Sequence, residues 1–347
     1  MRRVKLLVLF LCRMAGLFRL AGWLTRDRLK ILCYHGFALD DEMAFRPKLF
    51  IRPETFAARL ETLRRYGMHV LPLDEAVERL YAGTLPPRAL VITVDDGFHS
   101  VHRLAAPALR RYGLPATIYV TTYYVEHPHP IFRLAIQYMF WKTRCIELVW
   151  KDVPWAADGV VDLRDAASRE AAIWACIRHG EARCTEAERH DLSSQLGEML
   201  GVPYGNIEGT RILHLMTPQE IRELDDWGLD IQLHTHRHVF PEDDSARAQR
   251  EIEDNRAALI RLFGEEREFH HFCYPSGLWQ ERQWAWLDAL GVKSSTTCLA
   301  GLNTADSPRH ALRRYLDGEN IHPLEFEAAL TGFSALIRLQ PKAIWGK

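Results

Sequence analysis

The stretch ITVDDGFHS, Ile92 to Ser100, decides how the rest of the chain is read. It completes the apolar run Ala89-Leu90-Val91-Ile92-Thr93-Val94, whose length and β-branched content predict a buried strand. Asp95 and Asp96 follow at once, and Gly97 lets the chain turn. Carboxylates at the C-terminal end of a core strand stand where α/β folds build their sites. Two adjacent carboxylates repel each other, and a bound cation is one way to keep both ionised. A polar Asp-Asp-Gly turn with no chemical role is the plainer alternative.

Working outward, Asp230-Ile231-Gln232-Leu233 predicts a second short strand, and His234-Thr235-His236-Arg237-His238 follows it. Neutral imidazole is the commonest metal ligand. In an extended chain His234, His236 and His238 all face one way; in a turn the outer pair converges and His236 points elsewhere. A parallel barrel would bring both motifs to one rim, since each ends a strand.

TVDDG followed by HTHRH resembles the first two motifs of the polysaccharide deacetylase family, the NodB-type or carbohydrate esterase family 4 domain. ILCYHGF, Ile31 to Phe37, is similar to the family's opening strand. FCYPSG, Phe272 to Gly277, resembles the F-x-Y-P-x-G form of its third motif. The resemblance implies a distorted (β/α)7-type barrel with one divalent metal ion on Asp96, His234 and His238. Zinc is the first expectation, and cobalt, nickel and manganese also suit a two-His, one-carboxylate site. It implies Asp95 as the general base and the Ser276 N–H as an oxyanion donor, with Tyr274, Pro275 and His35 toward the substrate. The implied substrate is an acetamido-sugar glycan, either a surface polysaccharide or its lipid-linked precursor. Two departures stand out. Cys273 occupies the place of the family's third-motif Arg, which normally orients the base, and Ser276 replaces its Tyr. No Leu-x-His motif carrying a general acid is found near His310 or His322, leaving His35, His99 and His271 as candidates. Two rival readings follow, a metal-dependent glycosidase and a barrel that binds glycan without turnover.

Composition bounds the partners. The 347 residues carry 44 basic and 45 acidic side chains, a balance that argues against nucleic acid. Seven scattered cysteines without a C-x-x-C pair suggest reduced thiols and a cytoplasmic setting. From about residue 126 to 212 the barrel pattern is interrupted by helix-forming sequence, which reads as an inserted helical segment. Residues 1–27 read as an N-terminal amphipathic helix ahead of a barrel spanning 28–347. Leu7, Phe10, Leu11, Met14, Leu17, Phe18, Ala21 and Leu24 form its apolar stripe, opposed by Lys5, Arg13 and Arg19. Arg13 and Arg19 interrupt any transmembrane span, and no small-residue cleavage site follows LLVLFLC. The stripe suits either peripheral contact with the inner face of a membrane or docking on the barrel.

Overall fold

The computed structural model describes residues 2–337, so residues 338–347 of the expected barrel segment lie outside the described residues. Eight short strands form one parallel sheet: β1 (Lys30–Tyr34), β2 (His69–Val70), β3 (Ala89–Val94), β4 (Thr117–Val120), β5 (Asp230–Leu233), β6 (His271–Cys273), β7 (Ser294–Thr296) and β8 (Tyr315–Leu316). All six residues of β3 are buried. That is what a strand needs when both faces are covered, and it is why the sequence there is an unbroken apolar run. β1 pairs along one edge of β3; on the other edge β2 covers its first two residues and β4 its last two. The hydrogen-bonded path runs β7-β6-β5-β4-β3-β1-β8. A bridge between Thr296 and Leu312 ties the end of β7 to the stretch entering β8, curling the sheet into a distorted barrel. Parallel order requires crossovers, and helices supply them. Pro53–Arg65 follows β1, Leu73–Ala82 follows β2 and Ser245–Phe263 follows β5. After β3 the crossover opens with a π-helical turn, Val101–Ala105, before the α-helix Ala106–Tyr112. Such widened turns concentrate beside functional sites.

Residues Tyr124–Thr217 form a compact unit of their own. It holds the helices Phe132–Lys142, Ala166–Arg183, Glu186–Leu200 and Tyr204–Thr210, with an antiparallel pair, Glu147–Trp150 against Gly159–Asp162. Its core is Ile136, Met139, Cys176, Ile177 and Leu196, all fully buried. Thr185 and Glu188 cap the third helix reciprocally, which fixes where it starts.

The N-terminal segment departs from the single helix expected. It is two helices, α1 (Arg2–Met14) and α2 (Leu17–Leu24), broken where Gly16 adopts φ 77°. A left-handed residue ends a helix, so the apolar stripe cannot continue straight. Phe18 and Ala21 turn inward with Leu9, onto Ala328 and Phe333. Leu7, Phe10, Leu11, Met14, Leu17 and Leu24 stay exposed. Lys5 and Arg13 face the protein, on Glu325 at 2.6 Å and Glu327 at 3.1 Å. Among the described residues no helix is long and apolar enough to cross a membrane.

Candidate active site

The loops after β1, β3, β5 and β6 meet where the strands end. Asp95 leaves β3 with its N–H donating to the Tyr34 carbonyl at 2.9 Å, which carries the sheet ladder one residue further. Asp96 then takes φ 69°, sending its carboxylate away from that of Asp95. Thr235 (φ 65°), His238 (φ 57°) and Ser276 (φ 57°) share this left-handed geometry, which is uncommon outside glycine. Among the described residues, half of the eight of this kind lie in these loops, and such backbone strain gathers at working sites.

Asp96, His234 and His238 converge. Asp96 Oδ1 lies 3.2 Å from His234 Nε2 and 3.3 Å from His238 Nε2. The Nδ1 of His234 is 2.8 Å from the Cys273 carbonyl. A carbonyl only accepts, so Nδ1 carries a proton, and Nε2, which faces Asp96, is the nitrogen that would ligate an ion. His236 is elsewhere: its Nδ1 meets Thr122 Oγ1 at 2.9 Å and its ring packs edge-on to Tyr123. The turn geometry, not the extended one, therefore describes this stretch.

Asp95 has a different environment. Arg314, fully buried, donates to both its oxygens, Nη1 to Oδ1 at 2.7 Å and Nη2 to Oδ2 at 2.8 Å. The thiols of Cys273 and Cys33 donate to Oδ2 at 3.3 and 3.4 Å. Burial alone would raise the pKa of this carboxyl, but the charge and hydrogen bonds of Arg314 outweigh it and hold the group well below the usual carboxylate range. Arg314 enters from the stretch running into β8, and its Nη2 is 3.0 Å from Cys273 Sγ. It thus supplies the cation missing at position 273. Sequence reasoning did not find it. The available signal was a second Arg inside the short apolar segment Ala311 to Leu316.

Among the described residues, three donor clusters could in principle hold a cation: Cys33–His35–Asp95, Asp95–His234–Cys273 and Asp96–His234–His238. The first two depend on Asp95, whose oxygens are already taken by a guanidinium. Burial also pushes the Cys33 thiol far above its ordinary pKa, keeping it protonated and a poor ligand. The third offers one carboxylate and two imidazole nitrogens, and it fits a divalent ion. Asn255, also unforeseen, supports it. Its Oδ1 accepts the His234 N–H at 2.9 Å, while its Nδ2 donates to the Val120 carbonyl and Thr122 Oγ1.

The remaining expectations divide. His35 lies at the carboxylates, Nε2 at 3.8 Å from Asp95 Oδ2, with burial lowering its pKa. Ser276 is exposed at its turn, and Gly277 beside it takes φ 67°. A Cβ on Gly277 would stand 2.6 Å from that of Cys298, so this backbone is pressed close to the next loop. Tyr274 and Pro275 do not offer a substrate surface. Both are buried, and the Tyr274 hydroxyl is spent on the His310 carbonyl at 3.0 Å. His271 is held by Ser294 and Asp74 at the opening of β6, the opposite end from the site. His99 lies 3.0 Å from Glu220, and His310 is fixed by Ser295 and Asp288.

The family model described as polysaccharide deacetylase matches residues 82–149 and 185–295, about half of the chain, and takes in Asp95, Asp96, both triad histidines and Cys273. A curated relative, YxkH of Bacillus subtilis, named as a polysaccharide deacetylase, is 28% identical over 113 residues. The match spans 31% of this chain and only 38% of that protein. The fold is shared with the Streptococcus pyogenes deacetylase PplD solved with acetate, at TM-score 0.58 and 17% identity over 87% of this chain and 98% of that one. It is shared too with IcaB from Ammonifex degensii (0.54, 18%, 88% and 97%) and a de-N-acetylase from Aggregatibacter actinomycetemcomitans (0.55, 13%, 87% and 100%). Sequence model and barrel agree: this chain belongs to the polysaccharide deacetylase family.

Proposed function

We propose that the chain is a metal-dependent carbohydrate N-deacetylase, removing acetyl from an amino sugar of a surface polysaccharide or its lipid-linked precursor. The observation carrying this reading is the split environment of two neighbouring carboxylates: Asp96 faces two imidazoles, and Asp95 faces a guanidinium. Separated environments of this kind assign separate tasks. Asp96, His234 and His238 would hold the ion, zinc or one of cobalt, nickel and manganese. When bound, it supplies Lewis acidity, lowering the pKa of water and polarising the amide carbonyl.

The chain's own groups do the rest. Asp95, kept ionised and oriented by Arg314, accepts a proton from the attacking water. The same ion pair makes it a weak base that passes the proton on readily. His35, beside Oδ2, is the group placed to carry that proton to the leaving amine. The N–H of Ser276, in the loop resembling the third motif, is assigned to the developing oxyanion. A glycosidase reading fits less well. It needs two carboxyl groups facing each other across a bond, about 5 Å or more apart. Asp95 and Asp96 leave one turn in different directions, one of them already clasped by Arg314.

The test is a screen of acetamido sugars and their oligomers with the purified, metal-analysed protein, following free acetate and new reducing ends. Acetate without new reducing ends is the expected outcome. New reducing ends would favour a glycosidase, and retained metal with neither product would favour a barrel that only binds.

A further inference from the structure

Ten of the eighteen large apolar side chains exposed among the described residues fall in the first 24 positions. On α1 the outward residues Val4, Leu7, Leu11 and Met14 recur at helical spacing, opposite the docked Leu9. On α2, Leu17, Leu20 and Trp23 are exposed while Phe18 and Ala21 are buried. The hairpin is thus held from behind and apolar in front, with its outward side chains 39–70% exposed. A patch that dense on a soluble face marks a contact surface.

Charge narrows the partner. The first 26 residues contain six Arg or Lys and no Asp or Glu. Arg2, Lys5 and Arg13 are paired with Glu325 and Glu327. Arg19 makes no ion pair among the described residues, and Arg26 lies over the exposed Trp23 ring at 5.2 Å. A groove of about 840 Å³ opens beside the hairpin. Its lining includes Arg13, Arg19, Lys30, Arg65 and Arg88 and no carboxylate, and shares Phe10 and Met14 with the exposed apolar set. Glu327 behind it offsets only part of this charge. Apolar side chains beside a groove of net positive charge, with Trp23 and the unpaired Arg19 among them, match the boundary between acyl chains and anionic headgroups.

We propose that the α1–α2 hairpin docks on an anionic phospholipid bilayer, its outward face in the interface and the groove against a lipid phosphate. This rests on surface chemistry alone and does not depend on the catalytic reading.

The experiment is co-sedimentation of the full chain with vesicles of phosphatidylglycerol and phosphatidylcholine, against phosphatidylcholine alone. We expect at least ~10-fold stronger binding to the anionic vesicles, weakened by salt. A Leu7→Ser/Leu11→Ser/Leu20→Ser variant and Arg19→Glu should each lose at least ~10-fold, with unchanged thermal melts. Arg19→Glu alters one exposed side chain and keeps the test valid should the triple variant melt early. Equal binding to both vesicle types, no binding, or full binding by Arg19→Glu would overturn the proposal. So would a concentration-dependent dimer abolished by the triple variant in a protein that ignores vesicles, which would assign the face to a second copy. Acetate release is not measured, so failure here leaves the deacetylase reading untouched.

Discussion

Asp95 sits among one guanidinium and two thiols, and that setting defines what it can do. A buried carboxylate that loses its guanidinium partner is costly, by about 3–5 kcal/mol. Arg314→Ala should therefore destabilise the fold by that order and abolish turnover. Because Cys273 Sγ is 3.0 Å from the same guanidinium, the two positions address one volume. Cys273→Arg added to Arg314→Ala should recover both the urea midpoint and part of the rate. A double variant no better than Arg314→Ala would show that the two positions are not interchangeable. Lys30 gives a second test at this scale. It is buried, donates to the Thr25 carbonyl at 3.0 Å, and burial lowers its pKa from 10.5 to about 8. Between pH 8 and 10.5 the unfolded chain binds more protons than the folded one, so this group's contribution to stability rises with pH through that window. Below pH 8 the full cost of burying its charge applies. Compared with Lys30→Met, wild type should gain about 2–3 kcal/mol from pH 7.5 to 10 in urea unfolding. A constant difference between the two would mean that Lys30 titrates normally.

At the scale of elements, strand ends were legible and strand-to-strand supply was not. The apolar run before Asp95 and the short strand before His234 are local patterns, and local patterns place Asp96, His234 and His238 near one rim once the sheet is parallel. Arg314 and Asn255 were missed because their partners lie 219 and 21 residues away, beyond the reach of a local pattern. The N-terminal break was misread for another reason: a continuous heptad stripe outvoted Gly16, although glycine is the residue that permits a left-handed turn there. Tyr274 was misassigned because motif position does not report burial. Asn255 carries the prediction at this scale. It ties the helix Ser245–Phe263 to the ends of β4 and β5, so Asn255→Ala should weaken metal affinity by ~10–100-fold while leaving the three donor residues in place. Unchanged affinity in a competition titration with a chromophoric chelator would show that the His234 loop holds its shape without it.

For the whole molecule, parallel topology gathers the site. The loops that carry the paired carboxylates and the triad histidines leave the same end of the sheet, and the bridge between Thr296 and Leu312 brings the stretch entering β8, with Arg314, back to β7. The unit Tyr124–Thr217 has its own core and contributes no residue to the donor triad. The central claim is that three residues among the paired carboxylates and clustered histidines hold a divalent ion. It is tested most directly by metal content per chain in wild type, His234→Ala, His236→Ala and His238→Ala, purified in parallel. The account predicts about one ion per chain in wild type and His236→Ala, and near-complete loss in His234→Ala and His238→Ala. Equal loss from His236→Ala, or full retention in either of the other two, would contradict it.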